Sequence, residues 1–159
     1  MIKLIEDNDV FEAIQLMNKS TQGQFYGYER NEAIWIEYFL SLVKKQKEGS
    51  PHALVIGDYV DNKLRGFLSA CTFSNYYDKQ WVMDVKDCIV DEDHQNPFVV
   101  YRLFDYMMEH IKKHGGKHWR ADSVRTEEEA YKYGRFLQKR YNAELHVSVR
   151  GVIQENKDE

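Results

Sequence analysis

The run Ala53-Leu54-Val55-Ile56-Gly57-Asp58-Tyr59-Val60 is followed at once by Asp61-Asn62-Lys63 and then by Leu64 to Phe73. A β-rich run, a short polar turn and a second apolar run read as an antiparallel hairpin. Such a hairpin is marginal on its own and needs more strands or a covering helix. The flanking sequence offers both. Ile2, Leu4 and Ile5 begin a short strand ahead of it, and Trp81 to Val90 forms a third long strand after the polar stretch Ser74 to Gln80.

Helical spacing accounts for most of the rest. Asp7 or Asn8 is placed to cap a first helix with Val10, Phe11, Ile14, Leu16 and Met17 on its apolar side. The polar stretch Ser20 to Gly27 interrupts the pattern. A second helix is predicted over Asn31 to Lys47, with Ile34, Trp35, Tyr38, Phe39, Leu42 and Val43 as its stripe, and Gly49-Ser50-Pro51 breaks it. Pro97 suits the first turn of a third helix running to about His114 and burying Phe98, Val99, Leu103, Phe104, Met107 and Ile111. Gly115-Gly116 ends that helix, and His118 to Val124 alternates as a strand. Thr126-Glu127-Glu128-Glu129 is a capping-box start for a last helix through Arg140, and Leu145, Val147 and Val149 mark a final strand. The order β-α-α-β-β-β-α-β-α-β predicts an α/β chain: a mixed sheet with helices on both faces, a meander followed by a βαβ crossover.

At 159 residues the chain has the length of one domain, expected over residues 1–153 with 154–159 as a polar tail. No apolar run approaches the roughly 18 residues of a membrane span, and no basic-then-apolar secretory start is present, so no membrane partner is expected. Cys71 and Cys88 are too few for a disulfide framework and read as free, buried or half-buried thiols in a reducing compartment, which implies a cytoplasmic protein. The net charge of −4 excludes nucleic-acid binding driven by charge alone. The basic cluster Lys132, Arg135, Lys139 and Arg140 reads as a solvated helix face.

Several side chains invite a chemical reading. His110 and His114 share the spacing of a zinc pair, with His118 beyond. No glutamate of a metalloprotease motif lies between them, and two glycines break the register, so they read as ordinary histidines at a helix C-terminus and no metal is expected. The aromatic set Phe25, Tyr26, Tyr28, Trp35 and Tyr38 serves either as core or as the lining of a pocket. Strict alternation along the third long strand puts Asp84, Lys86, Cys88 and Val90 on one face, and Met83, Val85, Asp87 and Ile89 on the other.

Asp87-Cys88-Ile89-Val90-Asp91-Glu92-Asp93-His94-Gln95-Asn96, set within this element order, resembles the GNAT superfamily of acyl-CoA N-acyltransferases over nearly the whole chain. The family often carries an acidic residue, Leu-Tyr-Val, any residue, Pro-Glu, any residue and Arg-Gly here. Asp87 and Val90 agree, Asp93 keeps the charge, Gln95 is an alternative to Arg, and Glu92 and Asn96 replace Pro and Gly. The resemblance implies the GNAT fold and an acyl-CoA cofactor, acetyl-CoA first of all. It assigns the backbone of Ile89 and Val90 to the pantetheine arm, and Gln95 with the amides of Phe98, Val99 and Val100 to the pyrophosphate at a helix N-terminus. It also points to Asp84 as the catalytic carboxylate and to a small-molecule or protein amine as acceptor, in a monomer or homodimer. On this reading Asp84→Asn is expected to lower turnover with little effect on folding.

Departures from the family pattern motivate an alternative. Phe98 and Val100 stand where the phosphate loop has small residues, and Pro97 removes a backbone donor. Glu127 occupies the place of a family Asn, and the tyrosine that protonates the leaving thiolate falls on Leu137 or Gln138. Tyr131, Tyr133 and Tyr141 are out of register. The acidic run Asp91-Glu92-Asp93 would attract a basic amine and repel CoA phosphates. The alternative is an inactive GNAT-fold binding or assembly protein, similar to the small GNAT-like proteins of bacteriophages.

Overall fold

The computed structural model describes residues 1–20, 31–74, 80–94, 97–122 and 127–145. Strands β1 (Ile2–Leu4), β2 (Ala53–Val60), β3 (Lys63–Ser74), β4 (Trp81–Val90) and β5 (His118–Ala121) form one sheet in chain order. Every neighbouring pair is antiparallel except β4 and β5, which are parallel. The helices are α1 (Val10–Lys19), α2 (Glu32–Lys47), α3 (Pro97–Lys113) and α4 (Glu127–Tyr141). The expected final strand over Leu145 to Val149 and the polar tail lie outside the described residues, apart from Leu145.

The hairpin that dominates the sequence forms as expected. Val60 pairs with Lys63, and Asp61 and Asn62 between them have φ of 50° and 59°. A two-residue turn with both φ positive matches the right-handed twist of its strands, and Asp and Asn tolerate that region better than most residues. Asn31 caps α2 by accepting from the Ile34 amide at 3.2 Å. At the first helix neither Asp7 nor Asn8 is the cap. A 3-10 turn over Asp7–Asp9 precedes α1, and the Asp9 carboxylate accepts from the Glu6 amide at 3.3 Å.

Two layers of core enclose the sheet within residues 1–124, one of two compact units of the chain. On one face Ala13, Leu16 and Met17 of α1 and Phe39, Leu42 and Val43 of α2 pack with Ala53, Val55, Phe67 and Ile89. Trp35 stacks on Phe39 with ring centroids 4.9 Å apart, and Phe39 meets Phe67 edge-on at 5.5 Å. On the other face α3 buries Val99, Leu103, Phe104, Met107 and Ile111. Four residues expected on apolar stripes are exposed instead: Phe11 at 67%, Ile34 at 62%, Phe98 at 61% and Tyr38 at 38%. Phe11, Ile34 and Phe98 each lie in the first turn of their helix.

Gln46 of α2 knits β1 to β2. Its Nε2 donates to the Ile5 carbonyl at 3.2 Å, and its Oε1 accepts from the Val55 amide at 2.6 Å. Asp58 of β2 is fully buried and is held by Arg102 of α3, whose Nε lies 3.0 Å from Oδ2 and whose Nη2 reaches the same oxygen.

The second unit spans residues 125–159. Within it α4 ends at Asn142, whose φ of 50° makes it a left-handed helix stop. Leu145 then folds back over Gly134: a Cβ added there would lie 2.6 Å from Leu145 Cδ1.

Candidate active site

The sheet departs from regularity between β2 and β3 at Asp58/Tyr59 and again in β4. The register of β4 with β3 runs from Gly66–Val90 to Ser69–Asp87, then resumes at Ala70–Val85. Lys86 is the extra residue, a β-bulge that switches the side-chain alternation of the strand. Residues directly opposite in an antiparallel pair share a face. Asp84, opposite Cys71, and Asp87, opposite Ser69, therefore lie on the same face, the one covered by α2. This corrects the strict alternation, which separates them. Met83, Val85 and Cys88 fall on the α3 face, so Cys71 and Cys88 lie on opposite faces as free, half-buried thiols.

The parallel ladder between β4 and β5 ends at Val85–Ala121, well short of the end of β4 at Val90. The bulge sits at the next position of β4, just beyond the last pair with β5 among the described residues.

Asp84 is 3% exposed and sits at the centre of an ion cluster. Its register neighbour on β5, Arg120, donates from Nε to Oδ1 at 2.9 Å and from Nη2 to Oδ2 at 3.0 Å. Lys86 Nζ donates to Oδ2 as well. Burial alone would raise the Asp84 pKa, but the hydrogen bonds and charges of Arg120 and Lys86 outweigh it and hold the carboxyl below its usual value. The Arg120 guanidinium also lies over the Phe73 ring, 4.9 Å from its centroid.

Asp87 has a different environment. It accepts from the Trp35 indole, with Nε1 3.3 Å from both carboxylate oxygens, and from Ser69 Oγ at 2.5 Å. Beside it the Tyr38 hydroxyl and Cys71 Sγ share a hydrogen bond at 3.0 Å. Burial first, then that bond and the nearby carboxylates Asp87 and Asp84, push the Tyr38 pKa well above its usual value, so the phenol stays protonated. Trp35 and Tyr38 thus border the carboxylates. Phe25, Tyr26 and Tyr28 lie outside the described residues.

The other end of β4 meets the start of α3 at Gly66. A Cβ on Gly66 would stand 2.8 Å from the Ile89 carbonyl, 2.8 Å from Val99 Cγ1 and 3.3 Å from Val90 Cα. The missing side chain lets the first turn of α3 seat against the end of β4, bringing Ile89, Val90 and Val99 together. Val99 is buried, Val100 is half-buried, and Phe98 points to solvent with its ring edge-on to Tyr101 at 6.1 Å. The first turn of α3 contains no acidic residue. Gln95 lies outside the described residues. Nearby, Arg65 pairs with Asp91 at 3.8 Å, which partly offsets the acidic run Asp91-Glu92-Asp93.

Gly66, Ser69 and Arg120 escape a reading of the sequence, because only the register of β3, β4 and β5 brings them to this site. The histidines take structural partners: His110 Nε2 donates to the Pro51 carbonyl at 3.0 Å, and His114 Nδ1 donates to the His110 carbonyl at 2.8 Å.

No protein-family model matches the sequence, and no curated protein sequence matches it. Solved structures do match. A ribosomal-protein-alanine N-acetyltransferase from Brucella melitensis biovar Abortus 2308 superposes with a TM-score of 0.67 at 19% identity, over 98% of this chain and 99% of that one. An aminoglycoside acetyltransferase from an uncultured soil metagenomic sample, in complex with sisomicin, gives 0.70 at 16% identity, over 98% and 96%. A transcriptional regulator from Bacillus halodurans C-125 gives 0.71 at 14% identity, over 98% of both chains. Identities this low speak for architecture alone. Strand order, the single parallel pair and these whole-chain superpositions together establish that the chain has the GNAT acetyltransferase fold.

Proposed function

We propose that the chain is an acyl-CoA-dependent N-acyltransferase, with acetyl-CoA as donor and a primary amine as acceptor, working in the cytoplasm. The observation that carries this reading is the coincidence at one point of β4: the last pair with β5 among the described residues is Val85–Ala121, and the bulge at Lys86 turns Asp84 and Asp87 to the same face. A strand that runs on past its last pair can offer backbone groups to an extended amide-bearing ligand, and two carboxylates beside that edge can manage the acceptor's proton.

The residues present fit the cofactor. The amides of Phe98, Val99 and Val100 belong to the first turn of α3, where helix N–H groups lack intrahelical partners, and no first-turn acid competes for them. Phe98 is bulky but turned outward, and the missing side chain of Gly66 lets α3 seat against Ile89 and Val90. Acyl-CoA supplies the acyl group as a thioester. In this reading Gln95 and the three amides hold its diphosphate, and the backbone of Ile89 and Val90 aligns its pantetheine arm.

The amine must lose a proton before it attacks. Asp84, kept ionised by two cations, is a weak direct base; it orders a water or orients the acceptor through Arg120 and Lys86. Asp87, on the same face, accepts hydrogen bonds from two neutral donors, Trp35 and Ser69. Tyr38, held protonated, is a hydrogen-bond donor for the leaving thiolate, which then takes its proton from solvent in place of the family tyrosine that Leu137 or Gln138 replaces. The test is thiol release from acetyl-CoA across a panel of small amines and lysine peptides. Amine-dependent release that falls at least tenfold in Asp87→Asn supports the reading; no release with any amine contradicts it.

A second reading rests on Phe98 and Pro97 at the start of α3, which depart from a small-residue phosphate loop. In it the fold serves as a binding module without acyl transfer, and it predicts no saturable affinity for acetyl-CoA.

A further inference from the structure

Lys86 is the residue that the bulge inserts into β4, and the first position beyond the last β4–β5 pair. Its amine is fixed by Asp84, and its side chain is 38% exposed while that of Asp84 is 4% exposed. The carboxylate it touches is not its own: Arg120 already donates two hydrogen bonds to Asp84. Other lysines are arranged differently. Lys3, Lys47 and Lys112 each face an acidic partner, Asp9, Asp7 and Glu109, at the surface. A proton lost from Lys86 therefore leaves Asp84 still compensated by Arg120, and the resulting neutral amine sits one residue beyond the last β4–β5 pair among the described residues.

We propose that Lys86 is a site of self-acylation, modified by the acyl-CoA held in the same chain. The proposal rests on the acyltransferase reading above. The Lys86 ammonium first releases one proton to solvent. The neutral Nζ then attacks the thioester carbonyl carbon; the N–C bond forms, the C–S bond breaks, and the second proton leaves Nζ to convert the departing thiolate to free CoA thiol. The product is an uncharged amide on Lys86. It can no longer give Asp84 a charged hydrogen bond, and it adds an acyl group on the side of β4 that carries Asp84. Self-acylation is thus a brake that sets in when acyl-CoA is plentiful and the amine acceptor is scarce.

The experiment incubates the folded protein with acetyl-CoA in the absence of any amine and maps modified lysines by peptide mass spectrometry. Calorimetric binding of acetyl-CoA is run alongside. The expected result is an acetyl adduct on Lys86 whose rate saturates with acetyl-CoA, does not depend on protein concentration, and is suppressed by excess desulfo-CoA. The adduct disappears in Lys86→Arg, whose unchanged melting temperature shows that it still folds. Arg120→Met slows the adduct several-fold, because Lys86 then becomes the principal counter-cation of Asp84 and keeps its proton. Saturable acetyl-CoA binding with Lys86 unmodified would overturn the proposal alone. So would modification linear in acetyl-CoA and no faster than at the exposed Lys44, which is solution chemistry. Absence of acetyl-CoA binding would overturn both the proposal and the reading beneath it.

Discussion

Asp84 shows how far one residue's role depends on neighbours that are distant in sequence. Its candidacy as a catalytic carboxylate comes from the GNAT resemblance, whereas its partner Arg120 becomes visible only once β5 lies beside β4. The expectation that Asp84→Asn leaves folding untouched does not fit a carboxylate that is 3% exposed and bound to two cations. Replacing it strands Arg120 and Lys86 and should cost about 2 kcal/mol, a value for hydrogen bonds to charged groups whose cations are half exposed. The depressed pKa fixes the pH dependence. Its stabilisation is complete above the unfolded carboxyl value of about 3.9 and is lost as pH falls through the folded value. Urea unfolding of wild type and Asp84→Asn should therefore differ at pH 7 and converge in acid. A gap that persists unchanged at low pH would show that the charge is not the cause.

His110 runs on a different pH scale. Burial first, with help from the charges of His114 and Lys113, lowers its pKa against the opposing pull of the Pro51 carbonyl. A histidine whose folded value lies below its unfolded value of about 6.5 stabilises the fold above that pH and loses the contribution as pH falls toward the folded value. The melting temperature should decline on acidification from pH 7, and the decline should be shallower in His110→Gln. Identical slopes in the two proteins would assign the pH effect elsewhere.

Among elements, the most legible were those with strong local signals: the Asp61-Asn62 hairpin, the extent of α2 and the long amphipathic stripe of α3. The bulge at Lys86 was not legible, since a bulge is a property of two paired strands and the composition of β4 does not announce it. That one insertion changes which carboxylates share a face, and so changes the site. Gly66 is of the same kind. In sequence it is one glycine within a strand; in the fold it is where the ends of β4 and α3 touch. Gly66→Ala must displace the Ile89 carbonyl or Val99 and should cost about 2 kcal/mol, in the range of overpacked cores. Because the displaced groups belong to the proposed cofactor cradle, acetyl-CoA affinity should fall with it. A variant with wild-type stability and affinity would mean that β4 and α3 yield without consequence.

At the scale of the molecule, the order of elements specified the architecture, since a meander followed by one crossover allows few mixed sheets. Acyl-CoA chemistry was less legible, because the side chains with the clearest roles in the family loop are the altered ones, while the backbone features that stand in for them carry no sequence signature. Asp58 and Arg102 link β2 to the helix that opens the proposed cradle. Arg102→Met leaves a fully buried carboxylate without its guanidinium, a loss of about 3 kcal/mol for a broken buried pair. In a chain of this size that corresponds to a fall in melting temperature of roughly 2–4 °C per kcal/mol, measurable by calorimetry. A melting temperature within a degree or so of wild type would show that the Met1 amino group, 3.3 Å from Asp58, suffices as its counter-charge.

Calorimetric titration of the wild-type protein with acetyl-CoA tests the central claim most directly. The length of β4 beyond its last described pair with β5, the close seating of α3 at Gly66 and the acid-free first turn of α3 predict saturable one-to-one binding in the micromolar range. Absence of binding up to millimolar acetyl-CoA would contradict the claim and leave the fold as a scaffold for another ligand.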